Sequence, residues 1–222
     1  MEDTLLTRDG LTLTEDEFYE QEGEDSPYQY LGGQLVIREP VSFQHEDICL
    51  FLHTLLRNAL DERGGAVAQG FHYPMRLDPK WSPEPDIMVV LDQNRRRIGP
   101  QRLAGPADLV IEVASPDDVR RALRLKLPRY REAGIPEIWV VDPWVQSVQV
   151  EVLTSESTAL DPLDPLGSLG SKEAAVADRY RLSRVTAGRL ASAVLPWFWI
   201  DVSWLWQSPM PSTLACVRHI LA

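Results

Sequence analysis

The longest apolar pattern in the chain begins after Ser42. Ile48, Phe51, Leu52, Leu55, Leu56 and Ala59 recur three and four residues apart. That spacing places them in one stripe and predicts a helix over about residues 45–62, stopped by Gly64-Gly65. Downstream the period changes. Residues 66–76 alternate loosely, whereas 86–92 and 108–114 are short apolar runs of strand length. Ile138-Trp139-Val140-Val141-Asp142 is a continuous apolar run, which predicts a strand buried on both faces. Residues 147–153 alternate and read as its hairpin partner across Asp142-Pro143-Trp144. Nearer the start, residues 28–38 read as a hairpin around Gly32-Gly33. Thr14-Glu15-Asp16-Glu17 is a capping pattern for a short helix near residues 15–21. A helix is predicted from Ser203 onward. Together these elements predict an α/β fold, a mixed central β-sheet flanked by α-helices.

The expected organisation is an acidic N-terminal arm (1–26), one domain (27–210) and a C-terminal tail (211–222). Residues 154–178, low in complexity and containing Asp161-Pro162-Leu163-Asp164-Pro165-Leu166-Gly167, read as a loop inserted between two strands. The most apolar stretch, residues 193–206, is too short to span a bilayer and contains Pro196 and Asp201, so no membrane association is expected. Two cysteines, Cys49 and Cys216, fall in no CxxC arrangement, and the acidic start lacks the features of a signal peptide. The expected location is cytoplasmic. Trp197, Trp199, Trp204 and Trp206 suit either a subunit interface or the core, with the core favoured.

Charge is unevenly placed. Residues 1–25 hold ten acids against one base, a net of −9 of the chain's −11, which leaves −2 for the rest. Residues 120–131 hold six bases and no acid. Such a run is commonly a solvated helix face, but beside Glu112 it offers Arg120, Arg121, Arg124 and Arg129 as phosphate-binding candidates. The acidic arm is then expected to fold over this basic segment.

The candidate chemistry lies at two strand ends. Pro83-Glu84-Pro85-Asp86 precedes one apolar strand, and Glu112 sits inside another, Leu109-Val110-Ile111-Glu112-Val113-Ala114. A carboxylate there is costly to bury unless it is paired or binds a metal; the alternative is a solvent-facing edge position. Hydrolysis of a phosphodiester needs an activated water and relief of negative charge, which a divalent ion provides. Mg²⁺ (or Mn²⁺) takes hard oxygen ligands and keeps several waters, so Asp86 and Glu112, with the Val113 backbone carbonyl, suffice. A lysine nearby can orient the attacking water or neutralise developing charge, although Lys126 alone is one base in a basic run. Asp86 alone also fits an ordinary turn, and Ser115-Pro116-Asp117-Asp118 fits a helix N-cap with proline at the first position. His45-Glu46-Asp47-Ile48-Cys49 is not an HExxH zinc helix, because Cys49 stands at the second histidine.

These residues carry a resemblance. Pro85-Asp86, Glu112-Val113-Ala114-Ser115-Pro116, Lys126, Tyr130 and the run from Ala133-Gly134-Ile135-Pro136-Glu137 to Asp142-Pro143 resemble the Uma2 family of restriction endonucleases, over about residues 11–206. The family is similar to PD-(D/E)xK nucleases. The resemblance implies a restriction-endonuclease-like mixed sheet, a DNA substrate, a homodimer, metal ligands at Asp86 and Glu112, and a lysine moved from position 114 (here Ala114) onto the next helix as Lys126. His45 and Tyr130 become supporting residues. Three positions depart from the family pattern: Ala122 replaces an aspartate, and Gln29 and Gln34 replace glutamates. Two further readings therefore stay open, a non-catalytic binding module on the same fold and a nuclease for RNA or structured DNA. Pro128 predicts a kink or a restart near Leu127 in the helix holding Lys126.

Overall fold

The structure is a computed structural model and describes residues 8–21, 26–38, 40–114, 119–154, 176 and 179–222. The Ser115–Asp118 cap and nearly all of the predicted 154–178 loop lie outside these residues.

In chain order the first elements are α1 (Glu15–Gln21), β1 (Tyr28–Leu31), β2 (Gln34–Ile37), α2 (Phe43–Arg63), β3 (Ala66–Gly70), β4 (Met75–Arg76) and β5 (Trp81–Ser82). Next come β6 (Ile87–Leu91), β7 (Leu103–Ala104), β8 (Leu109–Val113), α3 (Val119–Glu132), β9 (Glu137–Asp142) and β10 (Ser147–Leu153). The chain closes with β11 (Tyr180–Val185), β12 (Arg189–Ala191), β13 (Trp199–Asp201) and α4 (Thr213–Leu221). Six strands form the central sheet in the order β11-β10-β9-β8-β6-β3. It is mixed: β8 and β9 run parallel and the other neighbours antiparallel. A parallel pair needs a crossover, and α3 supplies it.

Strand alternation assigns each side chain to a face. Leu109, Ile111 and Val113 join Trp139, Val141 and the buried stripe of α2 in the larger core. Val110 and Ile138 point to the other face, where Tyr130 and Ile135 cover them. Glu112 falls on this second face, beneath α3. The sequence stripe is realised as expected: Ile48, Leu52, Leu55, Leu56 and Ala59 on α2 are all fully buried. Ser42 caps α2 by accepting a hydrogen bond from the His45 N–H, and Gly64 ends it with φ +71°, where a side chain would be strained.

Two buried carboxylates fasten the layers. Glu137 accepts from Trp139 Nε1, Ser192 Oγ and the N–H groups of Ala193 and Val194, tying the closing segment to β9. Glu151 takes both ends of the Arg131 guanidinium at 2.6 Å, fixing α3 over β10. This coupling raises Arg131, with the Glu151 hydrogen bond as the largest cause.

Four expectations change. First, the helix predicted from Ser203 is a 3₁₀ segment, Val202–Trp206, and α-helix resumes only at Thr213. Pro209 and Pro211 break it, because proline lacks an N–H and disfavours helix at the residue before it. Second, residues 211–222 are not a tail: Cys216, Val217 and Ile220 of α4 enter the larger core. Third, residues 8–21 dock on the β1–β2 hairpin rather than on the basic segment. Gly10 N–H donates to the Leu35 carbonyl at 2.7 Å, Phe18 stacks on Tyr30, and Glu15 pairs with Arg76. Fourth, α3 does not restart near Leu127: Pro128 sits inside one continuous helix. The bond that proline removes is to the Arg124 carbonyl, one turn back on a face whose residue is exposed, and water can replace it. The four closing tryptophans are intermediate between the two expectations: all are half-buried against the core, with Arg63 over Trp197 and Arg189 over Trp199.

Because α4 is part of the core, Ile220→Ala should destabilise the chain by about 2–4 kcal/mol. Leu214→Ala, at an exposed position on the same helix, should change stability by less than about 0.5 kcal/mol. Urea unfolding of both variants checks this; equal and negligible shifts would return residues 211–222 to a tail.

Candidate functional site

β6 and β8 pair antiparallel with Ile87 opposite Ile111. Asp86, just before β6, therefore stands beside Glu112 at one end of the pair. On the far side Gly70 pairs with Ile87. A Cβ built at Gly70 would lie 2.3 Å from the Asp86 carbonyl oxygen, so only glycine lets β3 approach so closely. The Asp86 carboxylate is oriented by Val113 N–H, which donates to Oδ2 at 2.7 Å. Its side chain is 24% exposed, and Oδ1 lies 3.7 Å from His45 Nε2.

Glu112 is sealed in from above. Lys126 and Tyr130 are four residues apart on α3 and project from one face. Lys126 Nζ donates to both Glu112 oxygens at 3.2 Å and to the Glu84 carbonyl at 2.8 Å. Tyr130 Oη donates to Glu112 Oε1 at 2.6 Å. Pro128 lies on the opposite side of the helix, so its missing N–H leaves the aim of Lys126 intact. All three side chains are almost fully buried. Burial pushes the Glu112 carboxyl from 4.5 up to about 7; the Lys126 charge opposes this and the nearby Asp86 charge adds to it. Burial likewise carries the Tyr130 phenol well above its usual range, reinforced by Glu112. It works against a charged His45, yet the hydrogen bond and charge of Asp86 outweigh it and raise the imidazole above its ordinary value.

The surrounding cleft, about 310 Å³, is lined by these carboxylates, Lys126, His45 and Arg38 among others. Sequence reasoning missed three of its features. Glu84 is buried, with Arg38 Nη1 donating to Oε2 at 2.6 Å and His72 Nδ1 at 3.4 Å from the same oxygen. Prolines on either side hold Glu84 extended, and extended residues two apart share a face, so the spacing of Glu84 and Asp86 was a usable signal. Gly70 was legible only as an interruption in an alternating strand. Phe71 and His72 have φ of +59° and +68°, a pair of left-handed residues at the cleft wall. Conformations of this kind cost roughly 1–3 kcal/mol each and cluster at functional sites.

The departures from the family pattern now have places. Gln29 is buried and accepts from the Glu84 N–H at 3.2 Å, which a neutral amide does without adding a charge beside Glu84. Gln34 is exposed on β2, away from the cleft, and Ala122 lines the cleft wall. Of the arginines, Arg124 is exposed, whereas Arg129 lies over the Trp81 ring at 4.7 Å and pairs with Glu132. The side chains of Arg120 and Arg121 lie outside what the structure describes.

Two predictions follow from this geometry. With its pKa raised to about 7, Glu112 favours the native state fully below about pH 4.5, and that contribution is lost as pH rises through about 7. The stability of the native sequence relative to Glu112→Gln should therefore fall across that window, as read from urea unfolding at several pH values. Parallel profiles would show Glu112 ionised throughout. Gly70→Ala should displace the Asp86 backbone and weaken any ligand held by its carboxylate, by roughly 10-fold or more for a metal. Calorimetry checks the affinity; an unchanged value would mean β3 absorbs the methyl group.

No curated protein matches this sequence. A crystal structure described as that of "a putative nuclease belonging to DUF820" from Anabaena variabilis ATCC 29413 superposes with a TM-score of 0.63, over 87% of this chain and 97% of that one. At 17% identity the likeness is one of fold. The model of the Uma2 family, described as "Putative restriction endonuclease", matches residues 15–168, a span that contains every residue placed around Glu112. The chain belongs to the Uma2 family.

Proposed function

We propose that the protein is a metal-dependent DNA endonuclease that hydrolyses phosphodiester bonds in the cleft around Asp86 and Glu112. The observation that carries this reading is the meeting of a cleft-facing aspartate with a buried glutamate–lysine pair, in a chain of a family described as "Putative restriction endonuclease".

The donor set suits a hard divalent ion. Asp86 faces the cleft with lone pairs beyond those used by Val113, and each Glu112 oxygen can accept more than the bonds it has. Asp86 and Glu112, with the Val113 carbonyl, would hold Mg²⁺ or Mn²⁺. Such an ion polarises a phosphoryl oxygen and lowers the pKa of a bound water. The chain's own part is positioning. Lys126 fixes both Glu112 oxygens and brings a buried positive charge toward the phosphate, where negative charge grows as water adds to phosphorus and the bridging P–O bond breaks. Tyr130, from the same face of α3, also holds the glutamate. Arg124, exposed on α3, and Arg120 and Arg121 are the candidate contacts to the strand's phosphates, a salt-dependent contribution. Duplex cleavage by one cleft per chain calls for a homodimer.

A second reading rests on specific residues. Ala122 and Gln34 offer no carboxylate, and both Glu112 oxygens already accept from Lys126. On this reading the chain keeps the fold as a non-catalytic binding module. Calorimetry with Mn²⁺ separates the two, since binding that depends on Glu112 supports the nuclease.

The direct test is nicking of supercoiled plasmid in Mg²⁺ or Mn²⁺. Asp86→Ala and Glu112→Ala should each lower the rate at least about 100-fold, and Lys126→Ala about 10²–10³-fold, comparable to losing one transition-state donor. Cleavage that persists in both carboxylate variants would refute the proposal.

A further inference from the structure

One motif remains unused by the phosphodiester reading. His45 and Cys49 stand four residues apart on α2, so both project from one face, one turn from each other. This is the donor spacing of a zinc helix, with a thiol where the second imidazole would be. Along the sequence Glu46, Asp47 and His53 are the nearest other donors, but none of them joins the pair as a third ligand. The fold brings one from the sheet: one ligand atom each from His45, Cys49 and Asp86 lies within 4.8 Å of the others. All three residues line the same cleft.

We propose that His45, Cys49 and Asp86 form a site for a thiophilic divalent cation of the zinc class, with its fourth position open to the cleft. Zinc binds nitrogen, oxygen and sulfur at about 2.0–2.3 Å in a tetrahedron, and three protein ligands plus one open position is the pattern of reactive rather than purely structural sites. The 3.7 Å between His45 Nε2 and Asp86 Oδ1 already suits two ligands of one ion. Sulfur sets the selectivity: a thiolate favours zinc over magnesium, which prefers oxygen. On binding, the Cys49 S–H bond breaks, its proton goes to solvent, and the sulfur pair forms the bond to the metal, so affinity falls with acidity. A core cysteine beside a histidine–aspartate pair would account for each residue singly. It leaves the convergence of three donors on one point of a polar cleft without a reason. The site shares Asp86 with the proposed magnesium ligands, so zinc bound here withholds that carboxylate from the harder ion.

The test uses the full chain freed of metal by a chelator, with no nucleic acid present, so its outcome is separate from that of plasmid cleavage. Co²⁺ should give tetrahedral visible absorption and a near-ultraviolet sulfur-to-cobalt band, both removed by Zn²⁺ and unaffected by excess Mg²⁺. Cys49→Ser should abolish the sulfur band, and Cys216→Ser, in the larger core, should retain it. His45→Gln and Asp86→Asn should weaken Zn²⁺ binding by at least the 10–100-fold that loss of even an outer partner costs, read by competition with a chromophoric chelator. Zinc X-ray absorption on the unsubstituted chain supplies a readout that needs no variant: one sulfur neighbour at about 2.3 Å. No sulfur neighbour, no band in the unsubstituted chain, or a band that survives Cys49→Ser would overturn the site.

Discussion

A buried glutamate on a central strand constrains much of this molecule. Glu112 lies on β8, between β6 and β9 of the six-stranded sheet, in a strand buried at every position. An unpaired carboxylate there would be prohibitive. Lys126 and Tyr130 answer it from α3, and that demand fixes the height and rotation of the helix. Lys126 in turn reaches the Glu84 carbonyl and so joins α3 to the segment before β6. A buried ion pair of this kind adds little net stability, but removing one partner typically costs about 3–5 kcal/mol. Its value here is positional: it commits helix, strand and loop to one arrangement around a cleft.

The other polar contacts extend that arrangement outward. Arg131 anchors the end of α3 to Glu151, so the helix is held at both ends of its buried face. Asp86 is held by Val113 from β8, next to Glu112, which couples the two carboxylates through a single backbone step. Glu84, Arg38 and His72 form a second polar group against the same cleft. Beside it the chain accepts two left-handed non-glycine residues, a local strain that the packed sheet sustains.

The helix α2 contributes to the cleft from the opposite face of the sheet. Its apolar stripe secures the core, while its first turn, capped by Ser42, presents His45 toward Asp86. One helix thus builds the core along most of its length and lines the cleft at its start. The proposed phosphodiester hydrolysis and the proposed thiophilic metal site would both draw on Asp86, the point where the two proposals meet.

Much of the fold was legible because its signals are local. The 3.6-residue stripe of α2, the apolar runs of β6, β8 and β9, and the Gly32-Gly33 hairpin follow from periodicity and turn chemistry. Glu112 was legible as a candidate because a carboxylate inside an apolar strand demands a partner, whereas the roles of Asp86 and Lys126 rested on the family resemblance. The sequence could not tell which partner. Pairing Glu112 with a lysine fourteen positions on depends on α3 crossing over β8, and that is a tertiary fact. The role of α4 was hidden because prolines ahead of it look like an ending, and burial of Ile220 depends on the surface α2 offers. The docking of residues 8–21 was misread because net charge is long-ranged and unspecific, whereas Phe18 finds a particular apolar seat beside Tyr30. His45, Cys49 and Asp86 illustrate the division: helical spacing joins the first two, and only the register of β6 against β8 and β3 brings the third within reach.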